Sequence, residues 1–362
     1  MKRLFLFLFA LCISLPLWAL RCGEKAVELP NLKYLTGVRY PVALPLNENR
    51  LRCVTFVHTY GRGAGETVSM LRGWGRIYGK KLQQTVVTPD PESDAQSLLP
   101  AFRGSSIAFA VDSKRRITMQ YMAGSLLYPK SFVIDPKGNV IWCGETVDLG
   151  EMLQEYFSGK FDAAAAEKIS PMLDELQTLL RESSERKMKV LTDKIFAISP
   201  AHPGALRMRL FALENSNRIP QAWTLISERI KAAPQSARLY FTAVDFMSRY
   251  PYFKSDFVKL MSGFEQRVKD MDSRCVMAWE LLKRFKYDLD ALKYARILLG
   301  EKAPDKVELR RIWFAARAQI AYLTGDISGA VRFQKQALPP GSRKDPMLDY
   351  FTGVEKMRKE LP

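Results

Sequence analysis

The sequence predicts two units of different fold class: an α/β domain at residues 20–160 and an all-α array of helical hairpins at residues 161–362. In the first part, short apolar strands alternate with amphipathic helices and end in a hairpin. This pattern is typical of a mixed sheet with helices on both faces. Beyond residue 160 the strand pattern disappears, and apolar residues recur with helical spacing. A chain of 362 residues is long enough for two packed units.

The first 19 residues, MKRLFLFLFALCISLPLWA, predict an export signal peptide. A basic start precedes a long apolar run, and Ala19 is a small residue at which a signal peptidase could cut. The alternative is an uncleaved membrane anchor, since the run from Leu4 to Leu20 contains 17 residues. We therefore expect a protein of the periplasm or cell envelope.

The chain is basic, with a formal net charge of +17, which becomes +15 without Lys2 and Arg3 of the signal. This charge favours an anionic neighbour such as a membrane surface, or simply a solvated basic surface. The basic residues are scattered among acidic ones and form no nucleic-acid motif, so nucleic acid is not expected as a partner. With two histidines and no Cys-x-x-Cys, neither a metal site nor a cofactor is expected.

Five strands and three helices are predicted in the α/β domain, in alternation. The predicted strands cover residues 51–60, 83–90, 105–112, 130–136 and 139–144, and the predicted helices cover 66–82, 92–102 and a short segment near 117–124. The last two strands form a hairpin, because Pro136 and Gly138 supply the backbone angles of a tight reversal. Trp74 and Tyr78, one helical turn apart, are expected to face the core.

Prolines mark the ends of helical hairpins in the second part. Pro200 and Pro234 are 34 residues apart, and Pro304 and Pro340 are 36 apart. A spacing near 34 is that of a tetratricopeptide helical hairpin, and the region resembles this family, most clearly at 313–340. The resemblance implies a curved surface that binds proteins or peptides. Residues 344–360 are expected to form a terminal capping helix.

The chain from Pro41 to Tyr156 resembles the thioredoxin-like superfamily, within it the exported TlpA-like and redoxin branch. Three segments carry the resemblance. They are CVTFVHTY followed by a turn and the helix ETVSML, then VVTPDPESDAQSLLPAF with SSIAFAVD, and finally YMAGSLLYPKSFVIDPKGNVIWCG. The third segment matches the family at Tyr121, Pro129, Phe132, Ile134, Asp135 and Gly138. The match implies that Pro129 is the family's cis-proline, which lies against the active-site turn and presents backbone to an extended substrate.

At the active-site turn the resemblance breaks. Placing Phe56 on the family's phenylalanine puts Gly61, Arg62, Gly63 and Ala64 on its Cys-x-x-Cys. Thiol–disulfide exchange needs one thiolate to attack and a second thiol to resolve the mixed disulfide. Glycine and alanine do neither, so the turn from Tyr60 to Ala64 is predicted to be a degenerate active-site loop without a catalytic residue.

Four cysteines remain outside the signal: Cys22, Cys53, Cys143 and Cys275. An oxidising compartment permits disulfides among them, but three pairings are possible and the sequence selects none. Cys53 lies eight residues before the turn, and we expect it to be a buried core residue. Cys143, at the end of the hairpin strand, is also expected to be a buried core residue. The alternative for Cys53 or Cys143 is a working redox thiol.

The glycine-rich turn allows two further hypotheses. Backbone N–H groups at a helix N-terminus attract anions, so the turn could cradle an anion with help from Arg62. Glu66 already occupies the position an anion would favour, and the phosphate-loop sequence is absent. His58 could act as a general base, although a packed or surface histidine without a neighbouring nucleophile is the simpler interpretation. His58, Arg62 and Glu66 are therefore the candidate ligand contacts.

The sequence as a whole favours an exported, redox-inactive thioredoxin-like protein that serves as a protein- or peptide-binding scaffold in the cell envelope. An enzyme is not expected, because both active-site cysteine positions are occupied by other residues. The alternative is a thiol–disulfide oxidoreductase or redoxin-type antioxidant enzyme that uses non-standard cysteines.

Overall fold

The computed structural model of the chain describes residues 19–29, 32–36, 50–60, 63–123, 125, 128–339 and 345–360. The chain forms two compact units, Met1–Arg209 and Leu210–Pro362. Of the predicted export signal, all but its last residue, Ala19, lies outside the described residues. In the part of the chain that is described, no helix combines the length and apolar character needed to cross a membrane.

The first unit contains a sheet and its flanking helices, followed by longer helices. The strands are β1 (Lys33–Tyr34), β2 (Leu51–Phe56), β3 (Leu82–Thr88), β4 (Ala108–Val111), β5 (Lys130–Ile134) and β6 (Val140–Glu145). The helices among and after them are α1 (Ala64–Tyr78), α2 (Glu92–Ala95), α3 (Leu99–Phe102), α4 (Arg116–Met122), α5 (Leu149–Phe157), α6 (Ala163–Arg181) and α7 (Glu185–Ile198). Helix α8 (Pro203–Asn215) contains the division between the two units.

The helix predicted at residues 92–102 is instead two short helices, α2 and α3, with a 3-10 turn between them. Pro100 is the physical reason, since it has no N–H to donate to residue 96. Proline is tolerated in the first turn of a helix, and a new helix begins at Leu99.

The six strands form one mixed sheet in the order β1-β4-β3-β2-β5-β6. Strands β2, β3 and β4 are parallel, with Thr55 opposite Val86, whereas β1, β5 and β6 are antiparallel to their neighbours. The sequence predicted the mixed sheet and the β5–β6 hairpin, and both are confirmed. The two-residue strand β1 was not predicted.

Apolar side chains cover both faces of the sheet. Along β2, Leu51 and Cys53 join the core beneath α1 and α5, whereas Val54 and Phe56 join the core on the opposite face. Two buried faces are what a parallel sheet flanked by helices requires. The predicted α/β fold class is therefore confirmed, and this layered mixed sheet is that of a thioredoxin-like domain. Trp74 and Tyr78 pack against the first of these cores, where we expected them.

The rest of the chain is helical. Its helices are α9 (Ile219–Ala232), α10 (Ala237–Arg249), α11 (Phe257–Arg267), α12 (Met271–Arg284), α13 (Leu289–Leu299), α14 (Val307–Leu323), α15 (Ile327–Ala337) and α16 (Pro346–Glu360). Helices α8, α10, α12 and α14 begin 34, 34 and 36 residues apart. In the second unit, α12 packs against α10, α13 and α14, as in a stack of helical hairpins.

The hairpin of α14 and α15 shows how the sequence produces such a unit. Gly325 has a φ of 84°, a conformation that glycine adopts without steric cost, and it turns the chain between the two helices. The Asp326 carboxylate accepts a hydrogen bond from the backbone N–H of Gly329 at 2.8 Å and so caps α15. Ala318 and Ala330 are fully buried, because small side chains let the two helices approach each other.

Candidate functional site

The candidate site lies where the parallel strands β2 and β3 end. His58 and Thr59 follow β2, and Asp90 follows β3. Because β2 and β3 are parallel neighbours, their carboxyl ends lie at the same edge of the sheet. Ligand sites of open α/β sheets commonly lie at this edge.

Asp90 organises the site. Its side chain is 6% exposed, and it accepts hydrogen bonds from His58 Nδ1 at 2.8 Å, from the Thr59 backbone N–H at 2.6 Å and from Thr59 Oγ1 at 2.8 Å. Burial alone would raise the pKa of Asp90. The hydrogen bonds from Thr59 and His58 stabilise the carboxylate more strongly, so its pKa lies below the usual value. The carboxylate thus fixes both residues that follow β2.

His58 lies between Asp90 and the segment before β5. Its ring is 4.0 Å from that of Tyr128, centroid to centroid, and the Tyr128–Pro129 peptide bond is cis. With Nδ1 engaged by Asp90, Nε2 is the nitrogen left for another partner. Thr59 cannot serve His58 as a nucleophile, because its hydroxyl donates to Asp90. The His58–Asp90 pair is therefore better suited to positioning and hydrogen bonding than to nucleophilic catalysis.

Past the strand, the turn leads into α1. Gly61 and Arg62 lie outside the described residues, and the predicted anion contact of Arg62 lies there with them. Gly63 has a φ of 100°, which favours glycine, and Ala64 is the first residue of the helix. Glu66 lies in the first turn of α1, where a carboxylate interacts favourably with the helix dipole. Tyr60 is 73% exposed, and a hydrogen bond to Asp94 raises its pKa.

None of the chain's described thiols lies in this turn. Cys22, Cys53, Cys143 and Cys275 are all buried and unbridged. Cys53 is 1% exposed within the core, where burial raises its pKa to about 11, as an inert structural cysteine requires. The structure also groups no three metal-ligating side chains among the residues it describes. The described part of the site thus offers hydrogen-bonding groups and aromatic surface.

Sequence reasoning identified His58 and the Pro129 segment but missed Asp90 and Tyr128. A signal for Asp90 was present, since an acidic residue two positions beyond a buried strand lies at a sheet edge where ligand sites form. Tyr128 carried no comparable signal. Its contact with His58 depends on the pairing of β5 with β2, which the local sequence does not specify.

Replacing Asp90 by asparagine is expected to lower the free energy of unfolding at pH 7 by roughly 2 kcal/mol, because a buried charged acceptor loses its hydrogen bonds. The pKa of Asp90 is lowered by folding, so its stabilisation is present above the unfolded value and is lost as pH falls below about 4. Urea unfolding between pH 3 and pH 7 measures this loss. Asp90→Asn should lack the part of the loss in unfolding free energy at low pH that Asp90 causes, whereas Asp94→Asn should retain it. Identical pH profiles for wild type and Asp90→Asn would contradict the assignment.

No family model matches the chain, and no curated protein matches it. Among solved structures, it is similar to a protein assigned as the thiol:disulfide interchange protein DsbE from Chlorobium tepidum, with 22% identity over 40% of this chain and 100% of that one, at a TM-score of 0.32. It is also similar to a thiol-disulfide oxidoreductase from Bacteroides fragilis, with 16% identity, 36% and 98% coverage and a TM-score of 0.29. StoA from Bacillus subtilis matches with 15% identity, 35% and 97% coverage and a TM-score of 0.28.

Identities and scores of this size say nothing about activity. The class of the first unit rests on its own architecture: a mixed sheet in the order β1-β4-β3-β2-β5-β6, helices on both faces and a cis-proline before β5. This architecture is a thioredoxin-like fold, and its helix α1 begins at Ala64.

Proposed function

We propose that the chain is an exported thioredoxin-like protein that binds extended segments of other proteins and performs no thiol–disulfide exchange at its active-site turn. The proposed binding edge consists of Tyr60, Tyr128 and Pro129. The observation that carries the proposal is the contact of Tyr128 with His58, which lies just before a turn whose described residues hold no thiol. The export signal at residues 1–19 supports an extracytoplasmic location.

Backbone geometry supports binding of an extended chain. The Pro129 carbonyl accepts a hydrogen bond from Thr146 N–H at 3.1 Å, which begins the pairing of β5 with β6. One residue earlier, the backbone N–H and C=O of Tyr128 make no hydrogen bond to the rest of the described chain. Unpaired backbone groups beside a strand pair readily with an added extended segment.

Aromatic side chains lie at the same edge of the sheet as this backbone. Tyr60 is 73% exposed, and the side chain of His58 is 39% exposed beside Tyr128. Exposed tyrosines provide large contact area together with a polar tip, and they are enriched in binding surfaces. The edge thus offers main-chain hydrogen bonds for affinity and aromatic rings for side-chain contact.

The helical unit is proposed as a second binding surface for proteins or peptides. Stacked helical hairpins form extended concave surfaces that serve this purpose in other repeat proteins. The net positive charge would also favour an anionic membrane surface near the protein.

Binding of an unfolded, thiol-free client tests the proposal. The probe is reduced, carboxymethylated α-lactalbumin, and fluorescence anisotropy measures its Kd. Tyr60→Ser is expected to raise the Kd about fivefold to tenfold, because the variant loses one exposed aromatic contact. Tyr287→Ser, which removes an 82% exposed tyrosine from the second unit, is the matched control and should leave the Kd unchanged.

Two results would count against the proposed edge. If neither variant changes the Kd, the edge does not bind the client. If only Tyr287→Ser weakens binding, the client is held by the helical unit.

The second candidate function is thiol–disulfide oxidoreductase activity with non-standard cysteines. It is favoured by one observation, namely the short distance of 3.8 Å between Cys22 Sγ and Cys143 Sγ. Dithiothreitol-driven reduction of insulin decides between the two functions. We expect no acceleration over the uncatalysed reaction. Turnover that disappears in Cys143→Ser would establish the enzyme instead.

A further inference from the structure

Two cysteines that are far apart in sequence meet inside the first unit. Cys22 and Cys143 are separated by 121 positions, yet their Sγ atoms are 3.8 Å apart. Both are buried, with exposures of 7% and 9%. Ser170 Oγ lies 3.5 Å from Cys143 Sγ and accepts a hydrogen bond from the Cys22 backbone N–H at 3.4 Å. Neither cysteine belongs to the candidate site described above.

Backbone hydrogen bonds hold the Cys22 segment in place. Gly23 N–H donates to the Val140 carbonyl, and Val140 N–H donates to the Glu24 carbonyl, each at 2.8 Å. These bonds hold residues 23 and 24 against Val140, the first residue of β6, the strand that also carries Cys143. A disulfide needs an S–S distance of about 2.05 Å, so the two Sγ atoms have to approach each other from their separation of 3.8 Å.

The two thiols differ in access. A cavity of about 340 Å³ lies within the first unit, and Cys143 lines it together with Lys130, Trp142 and Ser170, whereas Cys22 does not. A cavity of this size admits a small solute but not a folded protein. Cys143 is therefore the thiol that a small reagent meets first.

Lys130 places a cation beside Cys143. Its side chain is 4% exposed, and its Nζ lies 5.3 Å from the centroid of the Phe132 ring. No hydrogen bond or ion pair joins this ammonium group to the described residues around it. A buried cation without a paired anion stabilises a nearby thiolate.

Local interactions separate the two thiols chemically. The hydrogen bond from the Cys22 thiol lowers the pKa of Cys143, against the effect of burial, and Lys130 and Ser170 lower it further. The same hydrogen bond and burial raise the pKa of Cys22. These interactions favour Cys143 as the thiolate of the pair and Cys22 as the thiol.

We propose that Cys22 and Cys143 form a redox-sensitive pair, which a small-molecule disulfide entering the cavity oxidises to an intramolecular disulfide. The Cys143 thiolate attacks one sulfur of the reagent, the reagent's S–S bond breaks, and a thiolate leaves. Cys22 then gives its proton to the thiolate that has left. The resulting Cys22 thiolate attacks Cys143 Sγ, and the second half of the reagent leaves as a thiolate. One thiolate and one thiol of the protein are oxidised to a disulfide, and the reagent's disulfide is reduced to one thiol and one thiolate.

The bond would tie residues 19–29 to β6. Closing a loop between positions 121 apart restricts the unfolded chain strongly, so we expect oxidation to raise the Tm by roughly 10 °C. This would make the N-terminal segment a latch whose strength depends on the thiol–disulfide balance of the compartment.

Chemical trapping on the purified full chain tests the pairing. The protein is incubated with hydroxyethyl disulfide, quenched with N-ethylmaleimide in denaturant and digested without reductant. Mass spectrometry should find a cross-linked peptide pair that joins Cys22 to Cys143, with Cys53 and Cys275 alkylated. Alkylation of both Cys22 and Cys143, or a link through Cys53 or Cys275, would overturn the proposal.

Single variants test the order of attack. Cys22→Ser should accumulate a mixed disulfide at Cys143, whereas Cys143→Ser should form little at Cys22. Lys130→Met should slow the mixed disulfide in the Cys22→Ser background about tenfold, since it raises the pKa of the attacking thiol. Lys137→Met, at an exposed lysine of the β5–β6 turn, is the control and should not. Equal labelling of Cys22 and Cys143 would overturn the assigned roles.

Thermal unfolding provides an independent readout. Oxidised wild type should melt roughly 10 °C above its reduced form, and neither cysteine variant should show a redox-dependent difference. Client binding is tested with a thiol-free probe, so failure of the binding proposal leaves this result unaffected, and the reverse also holds.

Discussion

Replacing Arg207 by methionine is expected to lower the free energy of unfolding by roughly 3 kcal/mol, because it removes the guanidinium that pairs with a buried carboxylate. Arg207 donates to both carboxylate oxygens of Asp148, at 2.8 and 2.7 Å, and lies 2.9 Å from Glu145. The Asp148 side chain is 6% exposed, whereas that of Arg207 is 35% exposed. Because solvent reaches Arg207 and screens its charge, the expected loss is at the low end of the range for breaking a buried ion pair.

Urea unfolding with two controls measures this effect. Lys189→Met removes one partner of an exposed ion pair with Asp193, and it should cost less than about 0.5 kcal/mol. Adding Asp148→Asn to Arg207→Met should recover part of the loss, because the buried negative charge is then gone. A loss no larger than that of Lys189→Met would show that solvent, not Arg207, neutralises Asp148.

Replacing Gly150 by alanine is expected to destabilise the first unit by about 2 kcal/mol, opposite to the usual effect of alanine in a helix. Gly150 belongs to α5, and a Cβ atom there would lie 2.1 Å from Cζ2 of Trp74. The indole packs against the core beneath α1, so its ring has to shift out of that contact. Overpacking of this kind costs more than the gain in helix propensity.

Gly73 offers the matched control. It lies within α1, and a Cβ atom built there would meet no other atom within 4 Å. Gly73→Ala should therefore stabilise the protein by about 0.5–1 kcal/mol. Thermal or urea unfolding of the two variants should give changes of opposite sign. Stabilisation by both would mean that Trp74 moves aside without cost.

Much of the first unit's architecture could be predicted from local pattern. Alternation of apolar strands with helices, and the turn at Pro136 and Gly138, predicted a mixed sheet ending in a hairpin. The prediction succeeded because side-chain periodicity and turn residues act within a few positions of each other. Strand β1 was not predicted, since two residues are too few to show the alternation of apolar and polar side chains that marks a strand. The break between α2 and α3 was not predicted, because the helical spacing of the apolar residues continues across Pro100, whose missing N–H interrupts the helix.

The candidate site was only partly predictable. Pro129 was identified by resemblance to a family, and His58 by its position before the turn. The lack of cysteine in the turn is read directly from the sequence. Asp90 and Tyr128 join the site through the pairing of β2 with β3 and with β5. Such pairings bring together residues 30 or more positions apart, and no local pattern specifies which side chains will then touch.

The sequence by itself determined the two fold classes, because hydrophobic periodicity selects strand or helix segment by segment. It also determined that the turn between β2 and α1 has no pair of thiols. Thiol–disulfide exchange requires two sulfur atoms, and Gly61 and Ala64 have none. Only the tertiary structure decided which of three cysteine pairings is feasible. It brings Cys22 within 3.8 Å of Cys143 and leaves Cys53 in a separate core. Disulfide chemistry depends on distance in space, which the order of residues along the chain does not state.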